Sequence, residues 1–192
     1  MSKQMVDARP AVFLDRDGVI NAYRSNYVKR WSEVSFLPGS LAALRRLSAT
    51  CCRIVVVTNQ SAVGRGIMTL DEVSEINRRL VDVITAQGGR IDRIYICPHR
   101  PEAGCTCRKP RPGMLLAAAA EMNLDLGSSY LVGDARSDVE AARAAGVRGI
   151  IVLTGRGKQT AESLSPDERA TWRIVQDLEG AVAYILDDHR QL

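Results

Sequence analysis

Apolar positions along the chain fall into two alternating rhythms. Short unbroken runs, rich in β-branched residues, read as buried strands. Ala11-Val12-Phe13-Leu14 stops at Asp15, and Ile54-Val55-Val56-Val57 stops at Thr58-Asn59-Gln60. Residues 91–96, Tyr130-Leu131-Val132 and 149–153 follow the same pattern. Between them lie stretches with helical spacing over 41–49, 71–87, 114–122 and from Ser137 or Asp138 to Ala145. In the longest of these, Val73, Ile76, Leu80, Val83 and Ile84 share one face, and Gly88-Gly89 ends it;. A polar loop, a short strand at 173–175 and a helix over 178–186 complete the reading. No internal repeat or low-complexity segment interrupts it.

Strands alternating with helices predict βαβ units, and so an α/β, Rossmann-like parallel sheet with helices on both faces. The 192 residues are read as one domain, 1–192;. Ligands of such sheets bind beyond the carboxyl ends of the strands. Here the strands end at Asp15, Thr58-Asn59, Cys97 and Asp134, which are predicted to converge on one edge.

Composition narrows the classes. With 46% hydrophobic and 25% charged residues the chain is neither disordered nor fibrous;. The net charge of +4 is scattered without a basic block, which argues against nucleic acid as a partner;. No apolar run reaches membrane-span length, so no membrane partner is expected. The opening MSKQMVDARP lacks the apolar core of a signal peptide, which predicts a cytoplasmic protein;. Nothing in the chain demands assembly, and a monomer is expected.

The strand-end carboxylates carry the first chemical signal. Asp15 and Asp17 stand two positions apart just past a buried strand, an arrangement that is costly unless the charges are paired or metal-bound. Mg²⁺, which prefers oxygen ligands, suits them. Asp134 and Asp138, in GDARSD, come to the same edge. Taken singly, each of these aspartates also suits a helix cap or a turn.

Four ordered pieces, FLDRDGV (13–19), VVVTNQS (55–61), CRKPRPGM (107–114) and LVGDARSD (131–138), resemble the motifs of the haloacid dehalogenase (HAD) superfamily of phosphotransferases. The resemblance implies a HAD-like fold in which Asp15 is the nucleophile and Asp17 the general acid and base. It implies Mg²⁺ held by Asp15, the Asp17 carbonyl and Asp134. It makes Thr58 and Asn59 donors to the phosphoryl oxygens and Lys109 their counter-charge. Asp138 then orients a metal-bound water or Lys109, or it caps a helix. Relatives often carry a Lys or Arg directly after the GD aspartate. Here Ala135 stands there, and Arg136 follows without an assigned role.

A second constellation lies at 97–107. Cys97-Pro98-His99, five residues, then Cys105-Thr106-Cys107 supply three thiols and an imidazole, a set suited to tetrahedral Zn²⁺;. Four protein ligands leave no open position, so this zinc is expected to be structural. Cys51 and Cys52 read as small apolar fillers.

Forty residues separate Asp17 from Thr58 and fifty separate Thr58 from Lys109, too few for an inserted cap domain. The loop 21–37 is then expected to act as a flap, with Tyr23, Arg24, Tyr27 and Lys29 as candidate substrate contacts. Two zinc-loop families fit this frame by resemblance: the heptose bisphosphate 7-phosphatases of cell-envelope sugar synthesis and the histidinol-phosphate phosphatases. TNQSAVGRG (58–66) and RPGML (111–115) resemble the first. A phosphorylated sugar is therefore the expected partner, with Arg65 and Arg108 as contacts to a second anionic group. A catalytically silent phospholigand-binding protein remains the alternative outside the enzymes.

Overall fold

In the computed structural model, which describes residues 8–189, the strands are β1 (Arg9–Leu14), β2 (Arg53–Asn59), β3 (Arg93–Cys97), β4 (Leu124–Gly133), β5 (Arg148–Val152) and β6 (Arg173–Val175). All neighbouring pairs are parallel, in the order β3-β2-β1-β4-β5-β6. The helices are α1 (Ser40–Ser48), α2 (Ser61–Gly64), α3 (Leu70–Ala86), α4 (Gly113–Met122), α5 (Arg136–Ala145), α6 (Gly157–Glu162), α7 (Pro166–Thr171) and α8 (Leu178–His189). The N-terminal stretch that was read for export lies largely outside the described residues.

Side-chain alternation divides β1 between two cores. Val12 and Leu14 pack with Leu44, Leu47, Leu80, Ile84 and Val182, under α1, α3 and α8. Ala11 and Phe13 pack with Met114, Leu115, Ala141 and Ala142, under α4 and α5. A strand covered on both faces must be apolar throughout, which is why β1 and β2 read as continuous runs. Asp15 directly follows β1, and its N–H still donates to Val132 O at 3.0 Å. Asp15 is thus an extension of the central ladder.

Three readings are corrected. β4 begins at Leu124, ahead of the apolar run at 130–132, because Leu124 and Asp125 pair with Arg9 and Pro10 before a register shift. The presumed polar loop before β6 contains α6 and α7. The second is opened by Ser165, which accepts from Glu168 N, with Pro166 in the first turn;. α2, a single turn after β2, was also missed. Among the described residues, no element stands apart from the sheet as a cap, and no helix is long and apolar enough to cross a membrane. Residues 21–37 carry only a 3-10 turn at Trp31–Glu33 and bridges from Asn21 to Asp17 and Phe36.

Candidate active site

The ends of β1, β2 and β4 bring Asp15, Thr58 and Asp134 to one edge, as the parallel order requires. Lys109 reaches them from the loop before α4. Its ammonium lies 2.5 Å from Asp138 Oδ1 and 3.1 Å from Asp15 Oδ1, and it donates to Val57 O at 2.7 Å. Burial alone would lower the Lys109 pKa, but Asp138 and Asp15 outweigh it and the pKa is raised. Asp138 serves twice, since its other oxygen accepts from Ala135 N at 3.0 Å and caps α5. Both rival readings of Asp138 therefore hold together.

Asp15, Asp134 and Asp138 offer carboxylate oxygens within 4.8 Å of one another. Lys109 is the cation buried between Asp15 and Asp138 among the described residues. The remaining negative charge is felt in the titration. Burial pushes Asp15 up to about 7, with Lys109 opposing and the neighbouring carboxylates adding. Burial and Asp138 push Asp134 up to about 6. Asp134 Oδ1 is buried without a hydrogen-bond partner. A hard divalent cation at Asp15 and Asp134 fits this donor set and its charge excess. Gly18, at φ +93°, lies so close that a Cβ would stand 2.2 Å from Asp134 Oδ2. Only glycine lets the loop after Asp17 close over that carboxylate.

Asp17 is held differently. Arg16 donates to its Oδ2 at 2.8 and 3.1 Å, Gln60 donates at 2.9 Å, and Asn21 donates to Oδ1 at 2.8 Å. Burial would raise the Asp17 pKa, but Arg16 and these hydrogen bonds hold it below the usual carboxylate range. Arg16 is itself buried and is fixed by Asn77 at 2.9 Å. Neither Arg16 nor Gln60 stood out in the sequence. Arg16 looked like a spacer between two aspartates, and only the packing of α3 shows its anchor.

Asn59 also has a partner inside the site. Its side chain makes a reciprocal pair with the Lys109 backbone, donating to O at 2.9 Å and accepting from N at 3.1 Å. It positions Lys109 and itself lines the cavity, and an amide nitrogen carries a second N–H beyond the one used here;. Thr58 Oγ1 is buried and accepts from Gln60 at 2.9 Å.

The cavity above these groups has a volume of about 540 Å³. Asp15, Thr58 and Lys109 line its floor, while Tyr23, Arg24, Tyr27 and Arg108 contribute to its wall. Lys29 does not line it. Arg65 lies outside this lining: it is exposed at the end of α2 and lines a neighbouring groove with His99 and Arg100. The turn of α2, which the strand-and-loop reading had missed, carries it away. Arg136 touches the cavity, but its guanidinium is paired with Glu140 at 3.1 Å and Glu168 at 2.7 Å.

Beside the cavity, Cys97, His99, Cys105 and Cys107 converge. Cys97 Sγ lies 3.4 and 3.7 Å from the sulfurs of Cys107 and Cys105, and His99 Nδ1 lies 3.3 Å from Cys107 Sγ. A tetrahedral ion with metal–sulfur bonds of about 2.3 Å spaces its sulfurs by about 3.8 Å. The four atoms therefore have the spacing of a tetrahedral ligand set. Burial pushes the Cys97 thiol up to about 12, as expected for clustered thiols without a cation;.

A family profile described as HAD-hydrolase-like matches residues 106–181. The D-glycero-beta-D-manno-heptose-1,7-bisphosphate 7-phosphatase of Pseudomonas putida strain KT2440 is 41% identical over 167 residues, covering 87% of this chain and 94% of that protein. The chain belongs to the heptose-bisphosphate phosphatase family. The enzyme of the same name from Rhodopseudomonas palustris is 44% identical over 148 residues, covering 73% of this chain and 82% of its own. Among solved structures, the D,D-heptose 1,7-bisphosphate phosphatase of Bordetella bronchiseptica, complexed with magnesium and phosphate, superposes with a TM-score of 0.87 at 35% identity. It covers 93% of this chain and 99% of its own.

Proposed function

We propose that the chain removes the 7-phosphate of D-glycero-D-manno-heptose 1,7-bisphosphate, using Asp15 as nucleophile, for the synthesis of nucleotide-activated heptose. It is a phosphatase of the HAD type. The observation that carries the reading is the Asp15–Lys109–Asp138 chain at the parallel strand ends, with Asp17 poised beside it.

In the first step an Asp15 carboxylate oxygen attacks phosphorus, forming an aspartyl-phosphate, while the bond from phosphorus to the C7 oxygen breaks. Asp17 gives its proton to that leaving oxygen. The donors around Asp17 hold it ionised at rest; the negative charge of the arriving phosphoryl group raises its proton affinity, and Asp17 takes up a proton from solvent as substrate binds, the proton it then gives to the leaving oxygen;. In the second step Asp17, again a carboxylate, takes a proton from water. The resulting hydroxide attacks phosphorus, the Asp15–phosphorus bond breaks and inorganic phosphate leaves. Lys109 and Thr58 face the charge that develops on the phosphoryl oxygens. Mg²⁺, held by Asp15, Asp134 and the Asp17 carbonyl, would neutralise phosphoryl charge and align the phosphate with Asp15.

We assign structural Zn²⁺ to Cys97, His99, Cys105 and Cys107. Its role is to fix the turn that continues directly into Arg108 and Lys109. Arg108, whose guanidinium donates to His99 O at 3.2 Å, is thereby set at the cavity wall as a substrate contact. Reduced thiols at this site suit the cytoplasm, and the chain is read as acting as a monomer.

The test is phosphate release with Mg²⁺ from heptose 1,7-bisphosphate and from histidinol phosphate. A preference of several hundredfold in kcat/KM, about 3–4 kcal/mol of transition-state discrimination, supports the sugar bisphosphate. A preference for histidinol phosphate overturns it.

A further inference from the structure

The loop between β5 and α6 carries a cation that the mechanism above does not use. Thr154 Oγ1 donates to Gly18 O at 2.6 Å, and Thr160 Oγ1, within α6, donates to Asp134 O at 2.8 Å, so the loop and the helix that follows it are both tied to the catalytic edge. Gly155, at φ +55°, leaves no room for a Cβ, which would stand 2.2 Å from Asp134 Oδ2. The next residue, Arg156, donates its backbone N–H to that same oxygen at 2.8 Å. The loop backbone therefore decides where the Arg156 side chain starts.

The side chain ends in the cavity. Its guanidinium carbon lies 4.8 Å from the centre of the Tyr23 ring, on the flap. Its terminal nitrogen is 3.7 Å from Asp134 Oδ1, a long contact. Of the other arginines that line the cavity, Arg136 is paired with two glutamates, Arg108 is tethered to the carbonyl of His99, and Arg24 is exposed on the flap rather than on the loop bonded to Asp134. A guanidinium held over an aromatic ring by a cation–π contact spends no hydrogen bond on it, which leaves its N–H donors for a phosphate;. The ring also limits its rotamers, which lowers the entropy lost on binding.

We propose that Arg156, positioned by Tyr23, is the specificity-determining residue that recognises the second anionic group of the substrate, the phosphate that is not transferred. This rests on the reading of the site as a sugar-bisphosphate phosphatase. It places the discriminating cation on the β5–α6 loop rather than directly after the GD aspartate, where this chain has Ala135.

The experiment compares kcat/KM for heptose 1,7-bisphosphate and heptose 7-phosphate in the wild type and in Arg156→Gln, Arg156→Lys and Tyr23→Leu. Magnesium binding is measured separately by calorimetry. Loss of one charge-assisted bidentate contact should cut the bisphosphate-to-monophosphate ratio about 20-fold in Arg156→Gln, mostly through KM. Arg156→Lys should recover part of the ratio. Tyr23→Leu should reduce it by roughly 3–5-fold, since the cation remains but is no longer held. An equal loss on both substrates overturns the proposal. So does weakened Mg²⁺ binding that accounts for the loss, because Arg156 would then act through Asp134. A wild type that favours histidinol phosphate refutes the parent reading. A wild type that favours the bisphosphate, with an Arg156→Gln variant that keeps the preference, refutes this one alone.

Discussion

Lys109 and Asp138 form an ion pair of 2.5 Å in which both side chains are almost wholly sealed from water. Lys109 comes from the loop before α4, and Asp138 from the first turn of α5. A buried pair of this kind contributes little beyond an apolar substitute of the same shape, but removing one partner leaves the other desolvated and uncompensated. Asp138→Ala should therefore lower unfolding free energy by about 3 kcal/mol. Part of this comes from the lost cap on Ala135 N. Urea denaturation of the variant checks it, and a loss below 1 kcal/mol would show that Asp15 alone satisfies Lys109.

Asp15→Asn keeps the shape and burial of the side chain while removing the nucleophilic charge. Turnover should fall by at least about 10³-fold, with folding intact by circular dichroism. Residual activity near the wild type would refute the aspartyl-phosphate route.

The raised carboxylates set a pH dependence. Asp15 and Asp134 titrate near 7 and 6 in the fold without metal, against 3.8 for ordinary Asp. Between about pH 4 and pH 7 the folded state thus binds more protons than the unfolded chain, so metal-free stability falls as pH rises through that window. A cation that pairs with the ionised forms reverses the penalty. The rise in Tm produced by Mg²⁺ over chelator should be larger at pH 7.5 than at pH 5. A shift independent of pH would mean that the metal lies elsewhere.

Zinc should be present at about one ion per chain and should depend on all four ligands. Cys105→Ser should lose the ion, lower Tm and reduce kcat by slackening the turn that leads into Lys109. Metal analysis and kinetics check this together. Full activity without zinc would separate the loop from catalysis.

Much of the architecture was legible along the chain. The runs at 11–14 and 54–57 are apolar at every position because helices cover both faces of β1 and β2, and that burial marks a strand without any partner being known;. Asp15, Thr58 and Asp134 were recognisable because each breaks such a run at its carboxyl end. The Cys-x-His and Cys-x-Cys spacings are local, and so they were visible too. The helices α6 and α7 were not, since short polar helices, one tied to Asp134 through Thr160 and the other capped by Ser165, leave almost no apolar period;.

Residue type and spacing named the chemistry, but only the fold assigned each side chain its partner. Arg65 stood in a suggestive motif and is carried off by α2. Asn59 turns to the backbone of Lys109, and Arg136 turns to two glutamates. Arg156 falls in the stretch read as a polar loop, yet it enters the cavity because the β5–α6 loop is bonded to Asp134 and Gly18. The reason is physical: a strand or a ligand pair is specified by neighbours a few positions away, whereas the direction of a long cationic side chain is set by acceptors and rings that the parallel crossovers bring from distant parts of the chain.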